Sequence, residues 1–390
     1  MMNHEVIHFI NSKSKRVAII GCGQLARMMA LAGMPMGISF SFLAEPQDDP
    51  APVKDLGYIL KADHQEYNAQ ELYLLLGKPD VITIDKENVS VRLLKQLNQF
   101  CKVYPSPQAI EICQNRKLEK TLLNKLGLET AKWQPADNVE AIAHAGMDIG
   151  WPLVIKSCQT TSQGKSQWLI NNSKAIYELT HELKPQHSYI AEQLVAFDRE
   201  LSLISGRDIY GNIKHYDIAE NFHPAGVLLS SIAPADHLQP QLIEQAQQAA
   251  EAILKKIDYV GILAIEFFQI GDALLINELI PRVHNSGHWT QIACQNSQFT
   301  NHVRTIIGLP IGNTSATAPA SMVNLLGVPV NQEILQDESL QLHWYNKEMQ
   351  ENQKVGHINL SHPNAHSLTA KTQQLIADLY QPQDNQLKAS

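Results

Sequence analysis

Residues 261–289 read Gly261-Ile-Leu-Ala-Ile-Glu266-Phe-Phe-Gln-Ile-Gly271-Asp272-Ala-Leu-Leu-Ile-Asn277-Glu278-Leu-Ile-Pro281-Arg282-Val-His284-Asn285-Ser286-Gly287-His288-Trp289. Two apolar runs with β-branched residues flank a Gly-Asp turn signal, which predicts a hairpin. Each run carries an acidic residue where a buried strand should be apolar: Glu266 in the first, Glu278 in the second. A carboxylate buried without a cation or a hydrogen-bond donor is expensive. Two carboxylates and the amide oxygen of Asn277 facing one space make a hard oxygen set. Such a set suits Mg²⁺, with Mn²⁺ as the alternative, beside a phosphate substrate. Register decides whether they meet. A strict two-residue turn at Gly271-Asp272 sets Glu266 opposite Asn277, whereas one extra loop residue or a bulge sets it opposite Glu278. The second arrangement is the expected one. Either glutamate alone reads better as an edge-strand residue facing water. The pair, followed at once by Asn, Arg and two His in one polar run, favours a site.

The rest of the chain bounds what that site serves. Its 390 residues predict two or three domains. Hydrophobic content of 44% and charged content of 18% describe a globular protein with ample core. A net charge of −8 argues against nucleic acid or an anionic membrane as the main partner. No apolar run approaches the ~18 residues of a membrane span. The first fifteen residues lack the apolar core and cleavage site of a signal peptide. Five cysteines without close spacing read as reduced thiols, supporting neither zinc nor a disulfide framework. A cytoplasmic protein is expected.

In chain order, Arg16–Ile20 is a buried strand, and Gly21-Cys-Gly23-Gln-Leu-Ala26 opens a helix. That is G-x-G-x-x-A at a strand–helix junction. A second strand, 38–43, ends near Glu45, where a dinucleotide fold places its ribose acid. Close helix–strand packing explains the same glycines without any ligand. The strand ending at Ile84 delivers Asp85-Lys-Glu87-Asn88 at its carboxyl end, where ligands sit on parallel sheets. Residues 111–126 are amphipathic and stop at Gly127, one helix. A strand over 151–156 ends on Lys156, and Glu200 begins another. Residues 242–257 and 299–307 are further helices, and 311–320 a small polar linker. Residues 321–326, 343–345 and 355–360 are short strands of a small closing unit, and 370–379 is a short helix.

The run 277–290 resembles the signature of the N5-carboxyaminoimidazole ribonucleotide synthetases, purine-pathway enzymes of the ATP-grasp superfamily. Gly21–Met28, Pro105-Ser-Pro-Gln-Ala-Ile, Leu342–Lys347 and Lys354-Val-Gly-His357 resemble the same family, in order, over residues 15 to 360. The implied fold is α/β and α+β, an ATP-grasp with an N-terminal Rossmann-like domain and a small C-terminal β-unit. The implied divisions are a flexible 1–15, a Rossmann-like substrate domain 16–115, a lid 116–190, a large subdomain 191–312 with the metal carboxylates, and 313–390. The resemblance implies a homodimer, and as small-molecule partners ATP, bicarbonate and 5-aminoimidazole ribonucleotide. Its ATP contacts map onto Arg116, Lys156, the loop Thr161, Ser162, Gln163, Gly164, Lys165, Ser166 and Gln167, then Glu192, Gln193, Leu194, Val195, Glu200, His223, Asn277 and Glu278. Acceptor contacts map onto Gly23, Gln24, Leu25, Glu87, Asn88, Lys347 and Lys354. Glu266 and Glu278 would hold the metal. Arg282, His284 and Asn285 would grip bicarbonate and then carboxyphosphate.

Several positions depart from that pattern. The glycine-rich phosphate loop Gly-Gly-Tyr-Asp-Gly-Lys-Gly is Thr160-Thr-Ser-Gln-Gly164-Lys-Ser here, and Thr resists positive φ. Asp85 and Lys86 replace Glu-Phe. Leu229, Gln350 and Gln353 stand where the family has arginine, and Gln cannot replace the charge that reads phosphate bidentately. Three readings follow: the working synthetase; a divergent paralogue with another carboxylate or amine substrate, or one that only binds nucleotide; and an NAD-dependent oxidoreductase built on Gly21, Gly23, Ala26 and Glu45.

Overall fold

The computed structural model describes residues 14–159, 166–176, 181–183 and 187–380. The chain opens with a parallel sheet of β1 (Arg16–Ile20), β2 (Ser39–Ala44), β3 (Tyr58–Lys61), β4 (Val81–Ile84) and β5 (Lys102–Val103), in the order β3-β2-β1-β4-β5. Every residue of β4 is buried, as continuous apolar runs in parallel sheets are. The order steps outward from β1 in both directions, so a crevice opens beyond the carboxyl ends of β1 and β4. The Gly21–Gly23 turn and the Asp85–Asn88 segment both lie there.

A second, antiparallel sheet follows: β6 (Trp133–Pro135), β7 (Leu153–Ser157), β8 (Gln167–Ile170) and β9 (Tyr189–Gln193), ordered β6-β9-β7-β8. Helix Val139–Ile149 covers its apolar face with Ile142 and Ala145. The third sheet holds β10 (Arg199–Arg207), β11 (Ile213–His215), β12 (Ala219–Phe222), β13 (Ser230–Ala233), β14 (Gly261–Ile270), β15 (Ala273–Ile280), β16 (Ala320–Leu326), β17 (Leu340–Trp344) and β18 (Lys354–Ser361). Its order is β15-β14-β10-β12-β13-β16-β18-β17, with β11 paired to β10.

Two expectations change. The helix read across 111–126 is two, Pro107–Cys113 and Arg116–Lys125. Asn115 leaves helical geometry, forms a bridge with Gln159, and caps the second helix by accepting from Lys117 N at 3.1 Å and Leu118 N at 3.2 Å. The strands of the C-terminal unit join the central sheet. β16 pairs with β13, so the C-terminal strands extend the central sheet. The terminal helix, Ala365–Tyr380, is longer than the sequence pattern indicates and packs Leu375 and Leu379 beneath β16 and β18.

The first and third sheets share one core through helices Gln24–Gly33 and Gln298–Ile306. His302 joins them. Its Nδ1 accepts from Ile262 N at 3.1 Å, and its Nε2 lies 2.8 Å from Thr83 Oγ1. Burial pushes its pKa down to about 3, so the ring is neutral and Nε2–H donates to Thr83.

Candidate active site

The hairpin resolves its own register. Gly271 and Asp272 form a two-residue turn between the paired Ile270 and Ala273, with Gly271 at φ +53°. Glu266 nevertheless faces Glu278, because Phe267 pairs with Ile276 and Asn277 is the extra residue of a bulge. In a regular strand Asn277 and Glu278 would point to opposite faces. The bulge brings both to one side: Asn277 Nδ2 lies 3.4 Å from Glu266 Oε2. Burial first, and then the charge of Glu278, push the Glu266 carboxyl up from its ordinary value. Two facing carboxylates that resist joint ionisation, with an amide between them, are a donor set that fits a divalent cation. His284 Nε2 lies 3.8 Å from Glu266 Oε1, and burial, then Arg282, keep that imidazole neutral.

These groups line one wall of a cavity of about 510 Å³. Of the residues assigned to ATP, Arg116, Lys156, Gln167, Glu192, Glu200, His223, Asn277 and Glu278 line it, as do Glu266, His284, Asn285 and Lys354. Arg116 Nη2 lies 3.6 Å from Glu278 Oε1. Glu200 Oε2 meets His223 Nδ1 at 2.6 Å. Gln193, the last residue of β9, and Leu194 beyond it are exposed, and Val195 is half-buried. Gln193 N already donates to Lys132 O. Phe268, which lines the cavity, stacks on Phe197 with centroids 4.6 Å apart. Ser166 O accepts from Ser157 N at 2.9 Å. Thr161, Ser162, Gln163, Gly164 and Lys165 lie outside the described residues.

Sequence reasoning missed Glu119 and Lys120. Both line the cavity and are 1% and 2% exposed. They follow Arg116 at i+3 and i+4 on one helix face, a spacing legible once the helix start is known. Lys120 Nζ lies 3.1 Å from Glu192 Oε1, and Lys156 Nζ pairs with Glu192 Oε2. Burial alone would raise the Glu192 carboxyl, but Lys120 and Lys156 outweigh it and hold it below its ordinary value.

The remaining predicted groups gather beside the cavity at the crevice of the parallel sheet. Arg282 Nη2 reaches Glu87 Oε1 at 2.6 Å, and Lys347 Nζ donates to Gln24 Oε1 at 2.8 Å. Burial, then Arg282 and Lys347, lower Lys354 to about 8. Among the described residues neither Lys347 nor Lys354 has a carboxylate partner, so this cationic group is available to an anion. Asn88 is exposed on the same segment. Leu25 commits its side chain to the core, leaving only backbone for a ligand. Leu229 is also buried, and Gln350 is exposed.

The glycine turn itself is filled. Gly23 N donates to Asp85 Oδ2 at 2.6 Å, and a Cβ on Gly21 would sit 1.5 Å from Asp85 Oδ1. The amide that would meet a pyrophosphate instead holds the protein's own carboxylate, which repels phosphate. Glu45, the expected ribose acid, is engaged by His64 Nδ1 at 2.6 Å. The dinucleotide reading fails on this geometry.

Burial raises Asp85 from 3.8 to about 6, against the lowering by the Gly23 amide. A raised carboxyl contributes stability below pH ~4 that is lost as pH rises through about 6. Asp85→Asn keeps the acceptor for Gly23. It is therefore expected to stabilise the fold above pH 6 by up to about 3 kcal/mol, with the gain shrinking toward pH 4. Melting temperatures of both proteins from pH 4.5 to 8 check this; a pH-independent difference contradicts it.

Known proteins resemble this chain over most of its length. Residues 14–114 match the ribonucleotide synthetase preATP-grasp domain, 121–299 the ATP-grasp domain, and 320–371 the phosphoribosylaminoimidazole carboxylase C-terminal domain. The N5-carboxyaminoimidazole ribonucleotide synthase of Vibrio cholerae is 37% identical over 93% of this chain and 95% of its own. The synthetase crystal structure from Thermus thermophilus superposes with a TM-score of 0.87 at 35% identity, covering 94% of this chain and 99% of its own. The Aspergillus clavatus enzyme, solved with ADP and 5-aminoimidazole ribonucleotide, gives a TM-score of 0.82 at 26% identity, over 93% of this chain and 98% of its own.

Proposed function

The chain belongs to the N5-carboxyaminoimidazole ribonucleotide synthase family of ATP-grasp ligases, and from that premise we propose how its residues divide the work. The protein carboxylates 5-aminoimidazole ribonucleotide at the expense of ATP, giving N5-carboxyaminoimidazole ribonucleotide in purine biosynthesis. In our reading, bicarbonate oxygen attacks the γ-phosphorus, the bond to the β,γ-bridging oxygen breaks, and ADP leaves. The ribonucleotide amine then attacks the carboxyl carbon of carboxyphosphate, loses a proton, and expels phosphate.

The observation that carries this assignment is the facing of Glu266 and Glu278 across the Asn277 bulge, beside Arg282 and Lys354. Glu266 and Glu278 would hold Mg²⁺, which supplies charge neutralisation to the phosphates when bound. Arg116, Lys120 and Lys156 place positive charge along the nucleotide. Glu200 takes the ribose hydroxyls. The neutral ring of His284, with Asn285, orients bicarbonate, and Arg282 offers a planar fork to its carboxylate. Lys347 and Lys354 bind the ribonucleotide's anionic end. No described helix is long and apolar enough to cross a membrane, and the proposal extends to a cytoplasmic homodimer.

The test is ADP release by purified protein with Mg²⁺-ATP and bicarbonate, with and without the ribonucleotide. Ribonucleotide-dependent release is expected. ATP binding without it would sink the synthetase assignment and favour a paralogue with another acceptor.

A further inference from the structure

β15 is the edge strand of the central sheet and carries a bulge, so backbone groups on its outer side lack ladder partners. At β15 the affected stretch is Ile276–Leu279, the stretch that carries Asn277 and Glu278. Ile276 N donates to Glu129 O at 2.8 Å, and the groups that follow are met from helix Arg116–Lys125. Lys120 Nζ donates to Asn277 O at 3.0 Å and reaches Ile276 O at 3.4 Å. Glu119 Oε2 accepts from Leu279 N at 3.0 Å. Glu119 is 1% exposed, and among the described residues its other carboxylate oxygen has no hydrogen-bond partner. A carboxylate so buried carries a desolvation cost that one amide hydrogen bond does not offset. Its one direct polar contact with the bulged strand is the peptide unit that follows Glu278.

We propose that Glu119 is a positioning residue for the metal site: by holding Leu279 N it fixes the 278–279 peptide, and so the direction in which Glu278 faces Glu266. The inference rests on the reading of Glu266 and Glu278 as metal ligands. Groups that orient metal ligands typically change metal affinity by about 10–100-fold when lost.

Two conservative variants separate the acceptor from the charge. Glu119→Gln keeps an oxygen at the reach of Leu279 N and removes the charge. Glu119→Asp keeps the charge and withdraws the oxygen by one methylene. The readouts are the Mg²⁺ concentration giving half-maximal ADP release, the affinity of the protein–ADP complex for Mn²⁺ by electron paramagnetic resonance, and the melting temperature. Glu119→Asp is expected to raise both metal constants about 10-fold or more, with the KM for the ribonucleotide changed less than about 2-fold. Glu119→Gln is expected to stay within about 3-fold of the parent in both metal constants, with no loss of melting temperature. Equal shifts in both variants, a larger shift in Glu119→Gln, or a loss of melting temperature with unchanged metal constants would each overturn the proposal. Glu278→Gln is the control: if it too leaves the metal constants unchanged, the metal reading itself fails and not only the role of Glu119.

Discussion

Glu278→Gln lowers ribonucleotide-dependent ADP release by about 10²–10³-fold, the several kcal/mol that a metal-held phosphate contributes to the transition state, and does so without unfolding the protein. The loss of activity follows from removing one of two facing carboxylates. The retained fold follows from the same geometry. Glu266 and Glu278 oppose one another across the strand pair, and burial, then the charge of Glu278, hold the Glu266 carboxyl up. A neutral amide of nearly the same volume removes that repulsion. Arg116 loses a carboxylate partner 3.6 Å away, a modest change for a long pair. The melting temperature of the metal-free protein is thus expected to stay level or rise while turnover collapses. A variant keeping more than a tenth of parental turnover would remove Glu278 from the machinery. A variant that melts far below the parent would make it structural.

The largest stability effect is expected at Lys120→Met, about 3–5 kcal/mol, the range for breaking a buried ion pair by removing one partner. Lys120 is 2% exposed and serves three acceptors: Glu192 Oε1, Asn277 O and Ile276 O. Methionine fills most of its volume, so the cost is electrostatic rather than a cavity. Among the described residues Glu192 keeps only Lys156 as a cation, and two carbonyls of β15 lose their donor. Urea unfolding followed by tryptophan fluorescence reads the loss. Adding Glu192→Gln to Lys120→Met removes the stranded charge and should recover more than about 1 kcal/mol, since contacting residues couple by that order. Additive losses in the double variant would show that the pair does not interact.

Local chemistry made the hairpin legible. Two β-branched runs, a Gly-Asp turn and two misplaced carboxylates sit within 20 residues of one another. The pairing of Glu266 with Glu278 could be reasoned from register alone, although the turn is the short one and the offset comes from Asn277. The G-x-G-x-x-A turn was equally visible, yet its meaning depended on Asp85, which arrives from another strand. The helix break at Asn115 was hidden because the residue is both a good cap and a tolerable helix member. Its bridge to Gln159, 44 positions away, decides between them. With the break unseen, the shared face of Arg116, Glu119 and Lys120 had no anchor. Nor does any local pattern say that Ser230–Ala233 pairs with Ala320–Val323. Strand partners so distant in sequence are chosen by edge availability in the assembled fold.

That last pairing bears on how the protein is made. During synthesis β13 emerges long before its neighbour β16, and until then the central sheet carries a bare edge able to accept a strand from any nascent copy nearby. The strands that cover the edge come from the same late stretch that supplies Lys347 and Lys354. Quality control and catalytic competence therefore mature together: a prematurely terminated chain lacks the acceptor-side lysines and is adhesive as well. A recombination event that exchanged the C-terminal stretch would have to match a hydrogen-bonding edge as well as a binding pocket, a constraint that ties this segment's inheritance to the sheet it completes.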